Sequence, residues 1–159
     1  MAEKKFKTPA DSSVESRYLV MPHHANQYGT AFGGVIVAWM DMVGSMAAQK
    51  HCGKEVVTAA IDSLSFDEPI YIGDHVVIKA AVNYVGRTSM EVGVQVYRHS
   101  PTEDKEVQAM TAFITFVALD KNKKPTPAGR LVPKTADEKQ QYEFAKLHVQ
   151  ARKKLMKKA

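Results

Sequence analysis

The chain has 159 residues, enough for one domain with a sizeable core, and its 45% apolar and 25% charged residues are ordinary for a globular protein. Its net charge of +5 lies in residues 134–159, which hold eight Lys or Arg and three Asp or Glu, whereas residues 1–133 are neutral. This distribution argues against a nucleic-acid-binding face on the folded domain. The single cysteine, Cys52, excludes an internal disulfide, and no secretory signal is visible, so we predict a cytoplasmic protein.

The first predicted element is a strand over residues 13–21, which follows a polar and mobile segment, residues 1–12. Pro22 ends this strand, and residues 23–32 form a loop rich in turn-forming and polar residues. The loop leads directly into the most apolar part of the chain.

A long helix is predicted to begin at Gly33 and Gly34 and to end near His51, with Gly53 just past its end. Residues 33–46 are almost wholly apolar on every face, which is typical of a buried helix. This apolar stretch is too short, and too often interrupted by Gly and Ser, to span a bilayer.

Asp41 is the one charged residue in that stretch. A carboxylate that is buried without a partner costs several kcal/mol, so its presence indicates a function, and we interpret Asp41 as catalytic. The alternative is a structural aspartate that is hydrogen-bonded to Ser45 or to a neighbouring backbone amide.

Four more strands are predicted after the helix. They cover residues 56–66, 76–85, 90–97 and 107–119, with a short hairpin connection at 86–89. In the two middle strands one face is apolar: Val76, Ile78, Ala80, Val82 and Tyr84, then Met90, Val92, Val94 and Val96. The last strand is apolar on both faces, as a central strand should be. These elements predict an α+β domain, residues 13–133, with one helix lying across a curved, mostly antiparallel sheet. Because a single helix covers only one face, we expect another subunit to cover the rest.

Residues 134–159 are predicted to form a basic C-terminal helix, with Thr135 and Glu138 as a capping box. Its apolar residues fall on one stripe: Phe144, Leu147, Ala151 and Leu155. We interpret it as a solvated helix that packs lightly on the domain; binding to anionic lipid or nucleic acid is the alternative.

A series of short motifs runs through residues 14–133: Met21-Pro22, Ala25-Asn26-x-x-Gly29, Phe32-Gly33-Gly34, Trp39-Met40-Asp41, Phe66-x-x-Pro69-Ile70, Gly73-Asp74, the run 85–90 and the run 113–119. With these motifs the chain resembles hotdog-fold acyl-CoA thioesterases, above all the bacterial YciA-like hydrolases and their animal brain-type relatives. The resemblance implies a sheet wrapped around a central helix, homodimers whose sheets join edge to edge, and hexamers built as trimers of dimers. It also implies hydrolysis of acyl-CoA to a free acid and coenzyme A, with Asp41 and Asn26 in the active site.

The residues permit this chemistry. Asp41 can act as general base or as nucleophile, and the free backbone N–H groups at Gly33 and Gly34 can stabilise the oxyanion, although Gly-Gly is also compatible with a simple tight turn. Asn26 can hold the thioester carbonyl or the attacking water, or can merely cap its loop. Asp41 lies seven residues after Gly34, roughly 10 Å along the helix. This distance is too long for one chain to bring its Asp41 and its helix-start N–H groups to the same carbonyl. We therefore expect each active site to be built from the two antiparallel helices of a dimer.

Three neighbouring polar residues, Arg87, Thr88 and Ser89, offer a cation and two hydroxyls to the CoA phosphates or pantetheine; the alternative is an ordinary hairpin turn. His23 and His24 have no ligand partners at metal-binding spacing, so we predict neither a metal nor a cofactor beyond coenzyme A itself. A non-hydrolytic acyl-CoA-binding or sensing module on the same fold is the alternative function. Because every candidate lies before Leu119, we expect removal of residues 135–159 to leave hydrolysis nearly intact.

Overall fold

The structure, a computed structural model, describes residues 6–157 as one antiparallel sheet with a helix on each face. The elements in chain order are α1 (Pro9–Ser12), β1 (Val14–Leu19), a 3-10 turn (Pro22–His24), α2 (Gly33–Cys52), β2 (Glu55–Phe66), β3 (His75–Val85), β4 (Ser89–Ser100), β5 (Lys105–Leu119) and α3 (Ala136–Lys157). The strand order is β1-β3-β4-β5-β2, and all neighbours are antiparallel. The predicted α+β class, with five strands and one long helix, is confirmed.

The structure tests the predicted mobility of residues 1–12 only in part. Residues 1–5 lie outside the described residues, and for them it stays a prediction. The next turn is ordered, because Pro9–Ser12 form α1 and the buried Ser12 hydroxyl accepts a hydrogen bond from the Val82 backbone N–H at 2.9 Å.

Alternation along the strands builds the core between the sheet and α2. On β4 the predicted apolar face is confirmed, because all four of its residues are buried: Met90, Val92, Val94 and Val96. On β3 the prediction fails at Tyr84. The β3–β4 register shifts between Val82 and Tyr84, and the Tyr84 ring packs against Tyr142 of α3 at 5.3 Å between centroids. A bulge adds one residue and therefore sends the following side chain to the other face.

Helix α2 begins and ends as predicted. It runs over Gly33–Cys52, and Gly53 follows in the left-handed conformation with φ of 66° and donates its N–H to Gln49 O. The expectation that it is buried on every face is wrong for the single chain. Met42 is 49% and Met46 40% exposed, so one side of α2 is open and apolar.

The edge strand β2 borders that open side. In the described chain it pairs with β5 alone, and Val57 and Ile61 on it are 47% and 39% exposed. An edge with exposed apolar side chains is a template for pairing with another chain. This surface therefore fits self-association.

Helix α3 starts at the predicted capping box. The Glu138 N–H donates to Thr135 Oγ1 at 3.1 Å, and the Thr135 N–H donates to the Glu138 carboxylate, also at 3.1 Å. It crosses the face of the sheet opposite α2, so the second face is covered in part by the same chain and not only by another subunit.

The predicted packing stripe of α3 is wrong. Phe144, Leu147 and Leu155 are 58%, 62% and 71% exposed, whereas Ala145 and Val149 are buried against the sheet. The small side chains let the helix approach the strands closely, which leaves the larger ones outside. Among the described helices, none is both long enough and apolar enough to cross a membrane.

Candidate active site

Asp41 lies in the middle of α2 and faces strand β2. Its Oδ1 atom accepts a hydrogen bond from Thr58 Oγ1 at 2.7 Å, and the residue is half-buried in the single chain. Neither of the two alternative partners is observed: among the described residues Asp41 bonds to Thr58, and the Ser45 hydroxyl donates to Met42 O at 2.7 Å instead. A carboxylate with one hydroxyl partner and an open side can still reach a substrate.

The first turn of α2 offers backbone donors that have no partner among the described residues. The helix is preceded by Phe32, and the first N–H to bond back is that of Val35, which donates to Phe32 O at 3.0 Å. The N–H groups of Gly33 and Gly34 precede that bond, as expected of a helix start, and lie at the positive end of the helix dipole. This is the geometry that an oxyanion site requires.

Two phenylalanine rings close over these glycines. A Cβ atom on Gly33 would lie 2.9 Å from Phe66 Cε1, and one on Gly34 would lie 2.7 Å from Phe32 Cε1. Both rings belong to exposed side chains that can rotate aside, so packing alone does not demand glycine, and the packing and the oxyanion interpretations both remain open.

Asn26 organises the loop before α2. Its Oδ1 atom accepts from the backbone N–H groups of Tyr28 at 2.9 Å and Thr30 at 3.2 Å, and its Nδ2 atom donates to Thr30 Oγ1 at 2.8 Å. The loop-capping role is thus real, yet an amide nitrogen has two hydrogens, and one of them is left for a substrate.

A cavity of about 360 Å³ joins Asn26 to the start of α2. It is lined by Asn26, Thr30, Ala31, Gly33, Ile36, Phe66, Asp67, Glu68, Pro69, Ile70 and Met110. Seven of its eleven lining residues are apolar, and its two charged residues are both acidic. A cavity that combines apolar side chains with a few convergent polar groups is typical of a ligand site.

The remaining predicted residues lie elsewhere. Asp41 does not line this cavity. The hairpin residue Arg87 accepts a hydrogen bond at its backbone oxygen from the Ala128 N–H at 3.0 Å, and the adjacent Gly129 lies beside His51 in the last turn of α2. Gly33 and His51 are separated by about 27 Å along the helix. One chain therefore places Asn26 with Gly33, but leaves Asp41 and the hairpin Arg87–Ser89 apart from them.

The outer face of the sheet holds a charged group that sequence reasoning missed. Glu91, on the face of β4 opposite the apolar one, is 2% exposed and accepts from Thr115 Oγ1 at 2.8 Å and from Arg152 Nη1 at 3.2 Å. Asp62 accepts from Arg152 Nη1 at 2.8 Å and lies in hydrogen-bond contact with His148 Nε2. Burial alone would raise the pKa of Asp62, but the hydrogen bonds from Arg152 and His148 outweigh burial and hold that pKa below its ordinary value.

Among the described residues, this charged group is the one cluster of possible metal ligands. Asp62, Glu91 and His148 present ligand atoms within 4.8 Å of one another. Arg152 already donates to both carboxylates, so a cation would have to displace a guanidinium. The absence of a metal and of a cofactor stays a prediction.

His51 is a second buried titratable group. It is 5% exposed, and neither ring nitrogen has a hydrogen-bond partner among the described residues. Burial and then the nearby charge of Lys7 lower its pKa from the ordinary value of 6.5. It is therefore held neutral at the end of α2.

Comparison with known proteins identifies the family of this chain. The profile of the Thioesterase superfamily matches residues 28–105. The chain is 43% identical over 129 residues to a Bacillus subtilis protein named as an uncharacterized acyl-CoA thioester hydrolase, covering 80% of this chain and 74% of that one. It is 34% identical over 131 residues to the cytosolic acyl coenzyme A thioester hydrolase of Rattus norvegicus, covering 81% of this chain but 34% of that longer protein.

Solved structures that resemble this chain include acyl-CoA hydrolases and thioesterases. The acyl-CoA hydrolase of Staphylococcus aureus, solved with butyryl coenzyme A, coenzyme A and coenzyme A disulfide, has a TM-score of 0.90 at 35% identity over 96% of this chain and 93% of that one. An apo-hexameric acyl-CoA thioesterase has a TM-score of 0.90 at 36% identity over 94% and 96%. The chain belongs to the thioesterase superfamily, as a hotdog-fold acyl-CoA thioester hydrolase.

Proposed function

We propose that this enzyme hydrolyses acyl-CoA thioesters with Asp41 as the group that activates water or attacks the carbonyl. The observation that carries the proposal is the placement of Asp41, which is bonded to Thr58 and open on the exposed side of α2. Incubation with acetyl-CoA, butyryl-CoA and longer acyl-CoAs, with free thiol as the readout, tests it. Tight binding of acyl-CoA without thiol release would favour the alternative, a non-hydrolytic acyl-CoA-binding module.

In the general-base form, the Asp41 carboxylate removes a proton from water as the water oxygen attacks the thioester carbonyl carbon. The carbonyl electrons move to oxygen, and the N–H groups of Gly33 and Gly34, with the spare amide hydrogen of Asn26, stabilise the oxyanion. The intermediate collapses, the C–S bond breaks, and the CoA thiolate leaves and takes up the proton. In the nucleophile form, an Asp41 oxygen attacks the carbonyl carbon, the C–S bond breaks and the CoA thiolate leaves. Water then hydrolyses the resulting mixed anhydride, which releases the free acid, regenerates the Asp41 carboxylate and supplies the proton that the thiolate takes up.

The site is shared between two subunits in this proposal. Asp41 and the Asn26–Gly33 cavity are separate within one chain, whereas the open side of α2 and the free edge of β2 lie next to Asp41. Pairing two copies across this surface sets two α2 helices antiparallel, which brings the helix start of one towards the middle of the other. A hexamer, formed as a trimer of such dimers, is supported by the hexameric relative.

In this proposal, coenzyme A binds at the β3–β4 hairpin. Arg87 is exposed, and Thr88 and Ser89 follow at the turn, so the hairpin presents a cation and two hydroxyls. The hairpin lies near the end of α2 in its own subunit. In the antiparallel dimer it therefore lies near the start of α2 in the partner subunit. The CoA phosphates then bind one subunit while the thioester enters the cavity of its partner.

The acyl group enters the cavity beside Asn26. Ile36, Ile70 and Met110 give it an apolar interior, while Asp67 and Glu68 give it a negative rim. A neutral acyl group fits this chemistry, and an acyl group that ends in a carboxylate is repelled. Cytoplasmic location is part of the proposal, and it is supported by the name of the rat relative and by the single cysteine.

A further inference from the structure

The charged group on the outer face joins α3 to strands β2 and β4. We call Asp62, Glu91, His148 and Arg152 the α3 cluster. A buried carboxylate such as Glu91 is tolerated only when it is paired and hydrogen-bonded, and Arg152 with Thr115 supplies those partners. Since Asp62 is on β2 and Glu91 on β4, Arg152 joins two strands that are not neighbours in the sheet.

Strand β2 is irregular on both sides of Asp62. Its register with β5 shifts between Thr58 and Ala60 and again between Asp62 and Ser65. Ser63, directly after Asp62, has a φ of 49°, which is uncommon for a residue with a side chain. Bulges bend a strand and re-aim its side chains, and they are frequent next to active sites.

An irregular strand depends in part on side-chain contacts for its position, because its bulges interrupt the backbone pairing. In the described chain β2 bonds to β5 on one side, and in the proposed dimer its other edge meets the partner subunit. Two other contacts lie four residues apart on it: Thr58 bonds to Asp41 of α2, and Asp62 bonds to His148 and Arg152 of α3. The strand is therefore held between the two helices.

We propose that α3 is a positioning element for hydrolysis, in which Asp62, His148 and Arg152 set the place of β2 and so of Thr58 against Asp41. The inference rests on the proposed role of Asp41. None of the three is a catalytic residue, because they act through the strand. Loss of their contacts lets β2 shift and misplaces the Thr58 hydroxyl, while the Asn26 loop and the CoA hairpin, which lie outside β2, stay as they are.

Two variants loosen the strand without removing a large side chain. Asp62→Asn keeps shape and removes charge, and His148→Phe keeps a ring on Phe113, which lies 4.7 Å away between centroids, but loses the hydrogen bond. We expect kcat for acetyl-CoA to fall about tenfold in each, less than the roughly 10²-fold that a 1 Å misplacement can cost, with KM unchanged. Lys153→Gln, at an exposed position of the same helix, is the matched control and should keep the parent kcat.

A kinetic double-mutant cycle with Thr58→Val separates positioning from general stability. When Thr58 no longer bonds to Asp41, Asp62→Asn and His148→Phe should lower kcat no further. The same tenfold loss in both backgrounds, or a lowered Tm with unchanged kcat in folded variants, would overturn the inference. Hydrolysis that survives in Asp41→Asn would instead overturn the proposed function, so the two failures are distinct.

Discussion

Thr58 and Asp41 are 17 positions apart in sequence, and a 2.7 Å hydrogen bond joins the Thr58 hydroxyl to the Asp41 carboxylate. This bond connects the edge strand to the central helix at the proposed reaction centre. It orients one carboxylate oxygen and leaves the other for water or substrate. Replacing each of the two residues should therefore lower kcat to a different degree.

Replacement of Asp41 by Asn should nearly abolish hydrolysis, with a loss in kcat of about 10²- to 10⁴-fold, because the amide cannot take up a proton. Thr58→Val should cost less, since the carboxylate remains. Steady-state thiol release measures both, and thermal unfolding checks the fold. A purified Asp41→Asn protein with the parent kcat would refute the assignment.

The two roles of Asn26 can be separated. Asn26→Asp keeps an oxygen for the N–H groups of Tyr28 and Thr30 but removes the amide donor, so the loop is retained and the oxyanion contact is lost. We expect kcat/KM to fall about 10²-fold, the usual cost of one oxyanion donor. Asn26→Ala removes both and should also lower Tm. If Asn26→Asp hydrolyses acyl-CoA like the parent, its role is confined to the loop.

Mixed dimers test the shared site. When Asp41→Asn and Asn26→Asp subunits are dissociated, mixed and reassociated, each hybrid dimer has one site with both lesions and one with neither. Random mixing makes about half of the dimers hybrid, so roughly a quarter of the parent activity should return. No recovery, with subunit exchange confirmed by mass spectrometry, would mean that each chain builds its own site.

The acidic rim predicts a substrate preference. Butyryl-CoA should be hydrolysed with a kcat/KM about tenfold above that of succinyl-CoA, whose free carboxylate meets Asp67 and Glu68. The paired change Asp67→Asn with Glu68→Gln should narrow this ratio, and so should added salt, because salt screens exposed charges. Equal values for both substrates in the parent at low salt would show that the acyl terminus does not reach the rim.

Acid should destabilise the protein through His51. Its folded-state pKa lies below 6.5, because burial and Lys7 oppose the charge, so the unfolded chain binds more protons as the pH falls below that value. The stabilisation is complete above pH 6.5 and is lost as the pH falls through the lowered folded-state pKa. His51→Phe removes this dependence. Urea unfolding between pH 7.5 and 5 measures it, and parallel curves for parent and variant would contradict it.

Most of the fold was predictable because its signals are local. The all-apolar stretch with Gly53 behind it defined α2, and the alternation of β4 defined its buried face. The failures came from effects that depend on packing. The bulge before Tyr84 has no local signal. Helix α3 has two apolar stripes, and the sequence does not show which one packs on the sheet. The stripe with the smaller side chains, Ala145 and Val149, is the buried one because it lets the helix approach the strands closely.

The site was predictable where residue type is unusual for its surroundings. Asp41 stood out in an apolar helix, whereas Thr58 did not, because threonine is ordinary in a strand. The burial of Glu91 has no local signal, since only the folded chain brings Arg152 over it. The expectation that residues 135–159 are dispensable therefore changes: their removal takes His148 and Arg152 away from Asp62, and we now expect lower Tm and lower kcat.

The strand order has a consequence for the way in which the chain folds. The hairpins β3–β4 and β4–β5 join consecutive strands and can form early, whereas β2 must wait for β5, with residues 58 and 116 paired across the two strands. Long-range pairing of this kind is slow because a long loop must close first. During synthesis α2 and β2 therefore emerge without their sheet, and their exposed apolar side chains are the part of the nascent chain most prone to aggregate.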